Sequence, residues 1–128
     1  VDTVRGNILI REEDPEAGIR TRKQANSIVP NLIQSLDAAH MMLTVRELKS
    51  RGFVDFSMVH DGYGVHACDV DLMNTVLREQ FIRVHTEFTL ATFAEQVRQG
   101  ASGIEIPDPP EVGALNLADV LRADYFFS

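Results

Sequence analysis

The stretch Met58-Val59-His60-Asp61-Gly62-Tyr63-Gly64-Val65-His66 decides the fold, because it sets an acidic residue where the chain reverses. Upstream of it, Phe53 to Val59 interleaves Asp55 and Ser57 among Val54, Phe56 and Met58, the alternation of a half-buried strand. Gly62 and Gly64 flank Tyr63, and glycine reaches positive φ without steric penalty, so a tight reversal is expected around them. Val65 to Cys68 then returns as the second strand, leaving His60 and Asp61 at the bend. On local grounds Asp61 fits two roles. Aspartate favours turns for conformational reasons alone. A carboxylate with a fixed direction and an open side also suits a hard divalent cation bound jointly with substrate phosphates.

Before the hairpin, Pro30 is expected to open a long helix that runs to about Arg51, with Gly52 just past its end. Leu32, Leu36, Ala39, Leu43 and Leu48 form its buried stripe, widened by Ile33 and Met42. Gln34, Asp37 and His40 fall three apart and form a polar row that either lines a ligand groove or is structural. Further upstream, Val4 to Ile10 suits one short strand, Glu12 to Gly18 an exposed acidic turn, and Ile19 to Ser27 a short basic helix carrying Arg20, Arg22 and Lys23. Those cations either face phosphate or form a solvated face.

After the hairpin, Asp69 is placed to cap a helix to about Thr86, whose apolar positions Val70, Met73, Leu77, Phe81 and Val84 form the clearest amphipathic pattern in the chain. A shorter helix over Thr89 to Gln99 carries Leu90, Phe93 and Val97. Residues 100–114, rich in glycine and proline, form a loop, and Asn116 caps a short final helix. Tyr125, Phe126, Phe127 and Ser128 close the chain, and three adjacent aromatics there call for a groove or a partner. The fold class is α+β, a β-hairpin packed on several helices.

At 128 residues, 45% apolar and 24% charged, the chain suits one globular domain. Its single cysteine, Cys68, excludes an internal disulfide and is expected to be buried; with His66 it gives too few ligands for a zinc site. No apolar run approaches the ~18 residues of a membrane span, so no membrane partner is expected. The net charge is −7. Residues 1–60 balance eight acidic against eight basic side chains, whereas residues 61–128 hold eleven against four. Such a surface repels a polyanion unless metal ions or other protein parts supply positive field.

The run Pro30-Asn31-Leu32-Ile33-Gln34-Ser35-Leu36-Asp37-Ala38-Ala39-His40-Met41-Met42-Leu43-Thr44 resembles the helix before the catalytic hairpin of single-subunit DNA-directed RNA polymerases, the bacteriophage and mitochondrial type. Val59-His60-Asp61-Gly62-Tyr63-Gly64 is similar to that family's third palm motif, and His66-Ala67-Cys68-Asp69-Val70 continues in register. Asn74, Leu77-Arg78-Glu79-Gln80-Phe81 and the closing Tyr125-Phe126-Phe127-Ser128 resemble the mitochondrial branch most. The likeness is dense from about Ile28 to His85, returns at Gly113 to Ser128, and is weak elsewhere.

The resemblance implies a palm-type fragment, with residues 1–99 the end of the palm and fingers region, its catalytic hairpin at 53–68, and residues 115–128 a C-terminal foot folding back toward the active site. It implies that Asp61 is one of two aspartates holding catalytic Mg2+ for template-directed nucleotidyl transfer. It further implies that His60 and Tyr63 shape the site, and that Gln34, Asp37 and His40 face the growing end of the RNA–DNA hybrid. The implied partners are a DNA template, the RNA product, nucleoside triphosphates and the rest of the polymerase; the implied location is the mitochondrion, or the host cytoplasm for a phage enzyme. Two departures stand out. Gly62 replaces the usual serine or cysteine, and the second metal-binding aspartate and the nucleotide-binding helix have no counterpart. The chain, which starts at Val1, is therefore expected to be the C-terminal part of a larger enzyme and inactive alone. Two other readings are the palm end of an A-family DNA polymerase and a non-catalytic interaction module built on the palm fold.

Overall fold

The computed structural model describes residues 2–3, 6–7, 18–101 and 103–126. They fall in two compact units, Val1–Leu32 and Ile33–Ser128. In the first unit, β1 (Asp2–Thr3) pairs antiparallel with β2 (Gly6–Asn7), Asp2 opposite Asn7 and Thr3 opposite Gly6. Of the strand expected over Val4 to Ile10 only Gly6–Asn7 is seen. Its other residues and the acidic turn over residues 12–17 lie outside the described residues.

The helix expected from Pro30 begins earlier. Helix α1 spans Thr21–Ser50 and keeps Pro30 inside it. Proline removes one helical hydrogen bond, which usually ends a helix, but its fixed φ is helical, and Arg22, Lys23, Gln24 and Ala25 before it are strong helix formers. The expected basic helix is thus the start of α1; Arg20, just before it, and Arg22 and Lys23 within it are exposed.

The C-terminal end of α1 follows the expected rule. Gly52 takes a φ of 93°; its N–H donates to the Lys49 carbonyl, and the Phe53 N–H donates to the Leu48 carbonyl, each at 3.1 Å. This pair of bonds satisfies carbonyls that the last turn leaves open. It also turns Phe53 back onto the core beside Leu48, and so aims the chain into the hairpin. Arg51 reinforces the junction, donating to Glu47 at 2.9 Å and to Glu79 on the next helix at 2.6 Å.

That next helix, α2, spans Val70–Glu87. Leu48 of α1 and Met73, Val76 and Leu77 of α2 form the core of the second unit, with Phe53, Met58, Tyr63, Val65 and Phe126 packed against them. Burying each of the large aliphatic side chains contributes about 1.5–3 kcal/mol. The buried face of α2 is rotated from the expected stripe: Val76 and Gln80 join it, while Val70 is 44% exposed. The buried positions of α1 are His40, Thr44 and Leu48, with Leu32, Leu36, Ala39 and Leu43 half-buried and Ile33 and Met42 exposed. Thr44 Oγ1 and Gln80 Oε1 are buried with no hydrogen-bond partner among the described residues.

Asp69 stands at the N-cap of α2, but its side chain makes no capping bond. A 3₁₀ turn, Ala67–Asp69, leads straight into the helix, so the Asp69 backbone is already near-helical (φ −106°, ψ −2°) and its carboxylate misses the geometry of an extended cap. Cys68 lies in that turn and is exposed, not buried. Helix α3, Leu90–Gly100, has a reciprocal cap: Thr89 Oγ1 accepts from the Thr92 N–H at 3.1 Å, and Thr92 Oγ1 accepts from the Thr89 N–H at 3.0 Å. Leu90, expected on its apolar face, is 48% exposed, and Ala94 is buried.

From Ala101 to Asn116 the described residues form no regular element, but the loop is strapped to α3. Arg98 Nη2 donates to Asp108 Oδ1 at 2.5 Å and to the Ile106 carbonyl at 3.3 Å. The final helix is a 3₁₀ turn, Leu117–Leu121, whose first residues Asn116 caps by accepting from the Ala118 N–H at 3.1 Å. No helix among the described residues is long and apolar enough to cross a membrane.

Candidate active site

The hairpin is shorter than its sequence pattern. Strand β3, Ser57–Val59, pairs antiparallel with β4, Gly62–Gly64, in the register Ser57 with Gly64, Met58 with Tyr63 and Val59 with Gly62. His60 and Asp61 alone form the turn. The left-handed residue is His60, with a φ of 54°, and neither Gly62 nor Gly64 has positive φ. The two glycines are therefore strand residues, and Val65 to Cys68 is not a strand. What Gly62 provides is close approach: a Cβ there would meet the Val59 carbonyl oxygen at 3.1 Å. A two-residue hairpin turn needs positive φ at its first position to match strand twist, and histidine is among the residues that tolerate it.

Asp61 is exposed at the tip of this turn. With His60 it forms one wall of a groove of about 430 Å³, whose other wall is Gln34, Asp37, Ala38 and Met41 of α1. The structure thus brings four of the expected residues to one space: Gln34, Asp37, His60 and Asp61. No lysine or arginine is among the lining residues. Ala38 and Met41 lacked a polar signal, although the spacing 34, 37, 38, 41 puts them on one helix face.

His40, expected on the same row, does not reach the groove. A helix advances about 100° per residue, so two steps of three fall about 120° short of two full turns. That drift carries His40 into the stripe with Thr44 and Leu48, where it is 6% exposed. Its Nε2 lies 2.9 Å from the Leu77 carbonyl oxygen, and its Nδ1 lies 3.4 Å from the Tyr63 hydroxyl. Because a carbonyl only accepts, Nε2 carries the proton, and Nδ1 accepts from the Tyr63 O–H. Burial pushes the His40 pKa below its ordinary 6.5 and His85 adds to that, against the Leu77 bond and Asp37. The neutral ring thus joins α1, α2 and the hairpin.

Tyr63 is half-buried behind the groove. Its pKa is raised by burial first, then by the negative charges of Asp37 and Asp61. The Phe126 ring lies 5.0 Å from Phe81, which stands edge-on to His40 at 5.8 Å. Tyr125 is 91% exposed, and Phe127 and Ser128 lie outside the described residues.

Among the described residues no group of three or more histidine, cysteine, aspartate or glutamate side chains is placed to hold a metal ion. Asp61, with Asp37 across the groove, offers oxygen ligands only. That set does not make a complete protein cage, but it fits a hard dication that keeps several waters and binds through one or two carboxylates and substrate phosphates.

Comparison with known proteins sets this geometry in a family. The family described as DNA-dependent RNA polymerase matches residues 1–103. The mitochondrial DNA-directed RNA polymerase 1 of Arabidopsis thaliana is 39% identical over 120 residues, which cover 94% of this chain and 12% of that protein. The mitochondrial DNA-directed RNA polymerase of Schizosaccharomyces pombe is 33% identical over 147 residues, covering 94% and 13%. A DNA-directed RNA polymerase 1A of Nicotiana tabacum is 38% identical over 120 residues, 94% of this chain and 75% of its own length. No solved structure matches. The chain belongs to the DNA-dependent RNA polymerase family, of the single-subunit phage and mitochondrial type. It spans about an eighth of the length of its mitochondrial relatives.

Proposed function

We propose that this chain is the part of a DNA-directed RNA polymerase that carries one of its catalytic carboxylates, and that Asp61 is that carboxylate. The observation that supports it is the groove in which the hairpin tip and α1 meet, with Asp61 exposed on a turn fixed by strands on both sides. Magnesium, when bound, would stabilise the attacking 3′-hydroxyl and the leaving pyrophosphate as a Lewis acid. The protein's own share is positional. Asp61 presents a carboxylate from a short turn with little freedom, and Tyr63 braces the strand behind it against His40. Gln34 and Asp37 form the opposite wall, where they face the end of an RNA–DNA hybrid, and His60 shapes the near side.

The remainder of the polymerase supplies a second metal-binding aspartate and the positive field that residues 61–128 lack. DNA template, RNA product and nucleoside triphosphates are the partners of the complete enzyme. The chain by itself is inactive and binds nucleic acid weakly. Relatives named as mitochondrial favour the mitochondrion as its location.

The test is RNA extension on a primed template by the complete polymerase carrying Asp61→Asn. Extension is expected to fall by about 10³-fold, the several kcal/mol that metal-assisted charge stabilisation supplies. Near-normal extension by D61N would overturn the assignment.

A further inference from the structure

The C-terminal segment lies on α2 under the side chain of one residue, Arg78. Arg78 Nη1 donates to the carbonyl oxygens of Val120 at 2.5 Å and of Ala123 at 2.7 Å. Its Nε donates to Asn74 Oδ1 at 2.7 Å, which fixes the guanidinium on the surface of α2. Its Cζ stands 5.3 Å from the centre of the Phe126 ring. The planar fork of arginine can serve two carbonyls and cover an aromatic face together, which a lysine ammonium cannot. Both carbonyls belong to the end of the Leu117–Leu121 turn and the residues after it, where helical partners run out. Leu117, Val120 and Phe126 are half-buried, and Phe126 packs on the core, so the Arg78 bonds add to a partial apolar contact.

The contacts do not end at Phe126. Phe126 meets Phe81 at 5.0 Å, Phe81 meets His40 at 5.8 Å, and His40 meets the hydroxyl of Tyr63, which pairs with Met58 one step from the His60-Asp61 turn. These side chains form one contiguous path between the clamp and the hairpin tip.

We infer that Arg78 is a positioning residue for the site: by clamping Val120, Ala123 and Phe126 it seats the C-terminal segment against Phe81, and through Phe81 and His40 it steadies the hairpin that carries Asp61. Its effect on turnover rests on the polymerase reading above; its effect on the segment and the hairpin does not.

The experiment uses the complete polymerase with R78A, R78K and F81L, and two measurements: amide exchange of the peptides covering residues 117–126, residues 57–64 and α3, and nucleotide-addition kinetics. In R78A, exchange at 117–126 and at 57–64 should each rise about tenfold, as expected when charge-assisted bonds that close a local opening are lost. Exchange in α3 should not change. The kcat should fall by about tenfold with the nucleotide KM within about twofold, because the segment touches the site through the hairpin and not through substrate. R78K should lie between R78A and the parent, and F81L should loosen the hairpin while Arg78 still slows exchange at 117–126. Unchanged exchange at 117–126 in R78A would overturn the clamp. Faster exchange there without any change at the hairpin would overturn the coupling, as would a rise in KM at constant kcat. An inactive parent polymerase would defeat the polymerase reading alone, since exchange is measured without turnover.

Discussion

The hairpin of residues 57–64 and the segment from Asn116 to Phe126 are both short pieces laid on the α1–α2 pair, and they are held in opposite ways. The hairpin has a backbone ladder, three side chains of its neighbourhood on the core (Met58, Tyr63 and Val65) and the Tyr63–His40 hydrogen bond. The segment has the Arg78 bonds, the Phe126 ring against Phe81 and the packing of Phe126 on the core. Losing any one hairpin contact leaves others to keep its pose, whereas losing Arg78 removes most of the polar attachment of the segment. The element bearing the candidate carboxylate is thus held by its own backbone ladder, and the segment that braces it from behind relies on a side chain, Arg78, for its polar attachment.

Changes at different depths would break or sharpen that contrast. The largest effect is the separation of activity from stability at the tip: D61N, which should lose about 10³-fold in extension, should leave the urea midpoint of the polymerase within error, since Asp61 is exposed. Next is Leu48→Ala, which empties a fully buried position shared by both elements and should cost about 3 kcal/mol in denaturant titration. Hairpin and segment should both loosen in L48A; loosening of only one would mean that they do not share a base. A smaller change of opposite sign is expected for Thr44→Val. This replaces a buried, unpartnered hydroxyl with a methyl group of similar shape and should raise stability by about 1 kcal/mol.

The acid side tests the burial of His40. Because its folded pKa lies below the ordinary 6.5, the unfolded chain takes up the proton first. His40 therefore contributes stability that is complete above about pH 6.5 and is lost as pH falls from there through the lowered folded value. H40L should flatten the pH dependence of the urea midpoint over that window, and an unchanged slope would mean that the His40 ring is not held buried and neutral. The smallest effect is expected for Gly62→Ser. Its Cβ needs the Val59 carbonyl to yield by a few tenths of an ångström, so a loss of about 0.5 kcal/mol or less should be seen, with extension retained.

Much of this architecture was legible in the sequence, and the exceptions have physical causes. Gly52 and Asn116 mark element ends because their local chemistry satisfies open backbone groups, and each does so in the fold. Pro30 misled because a favourable first-turn residue is also tolerated inside a helix when strong helix formers precede it. Gly62 and Gly64 misled because glycine answers two needs, positive φ and close approach, and here His60 takes the first and Gly62 the second. The groove was half legible. Gln34 and Asp37 face it, but three-residue steps drift around a helix, and His40 ends in the core. Arg78 gave no local signal, since its partners, the carbonyls of Val120 and Ala123, lie more than forty positions away and any residue type supplies them.

That last point has a consequence for how the terminal segment tolerates change. A clamp that grips main-chain oxygens is blind to the side chains it passes over. Val120 and Ala123 can be exchanged for many residues without altering what Arg78 holds, provided that the backbone path is kept. An inserted or deleted residue between them is a different matter, because it moves one carbonyl out of reach of the fork. The segment is therefore permissive in composition and strict in length, and a library of length variants at residues 120–123 would discriminate among poses that a library of substitutions would leave alike.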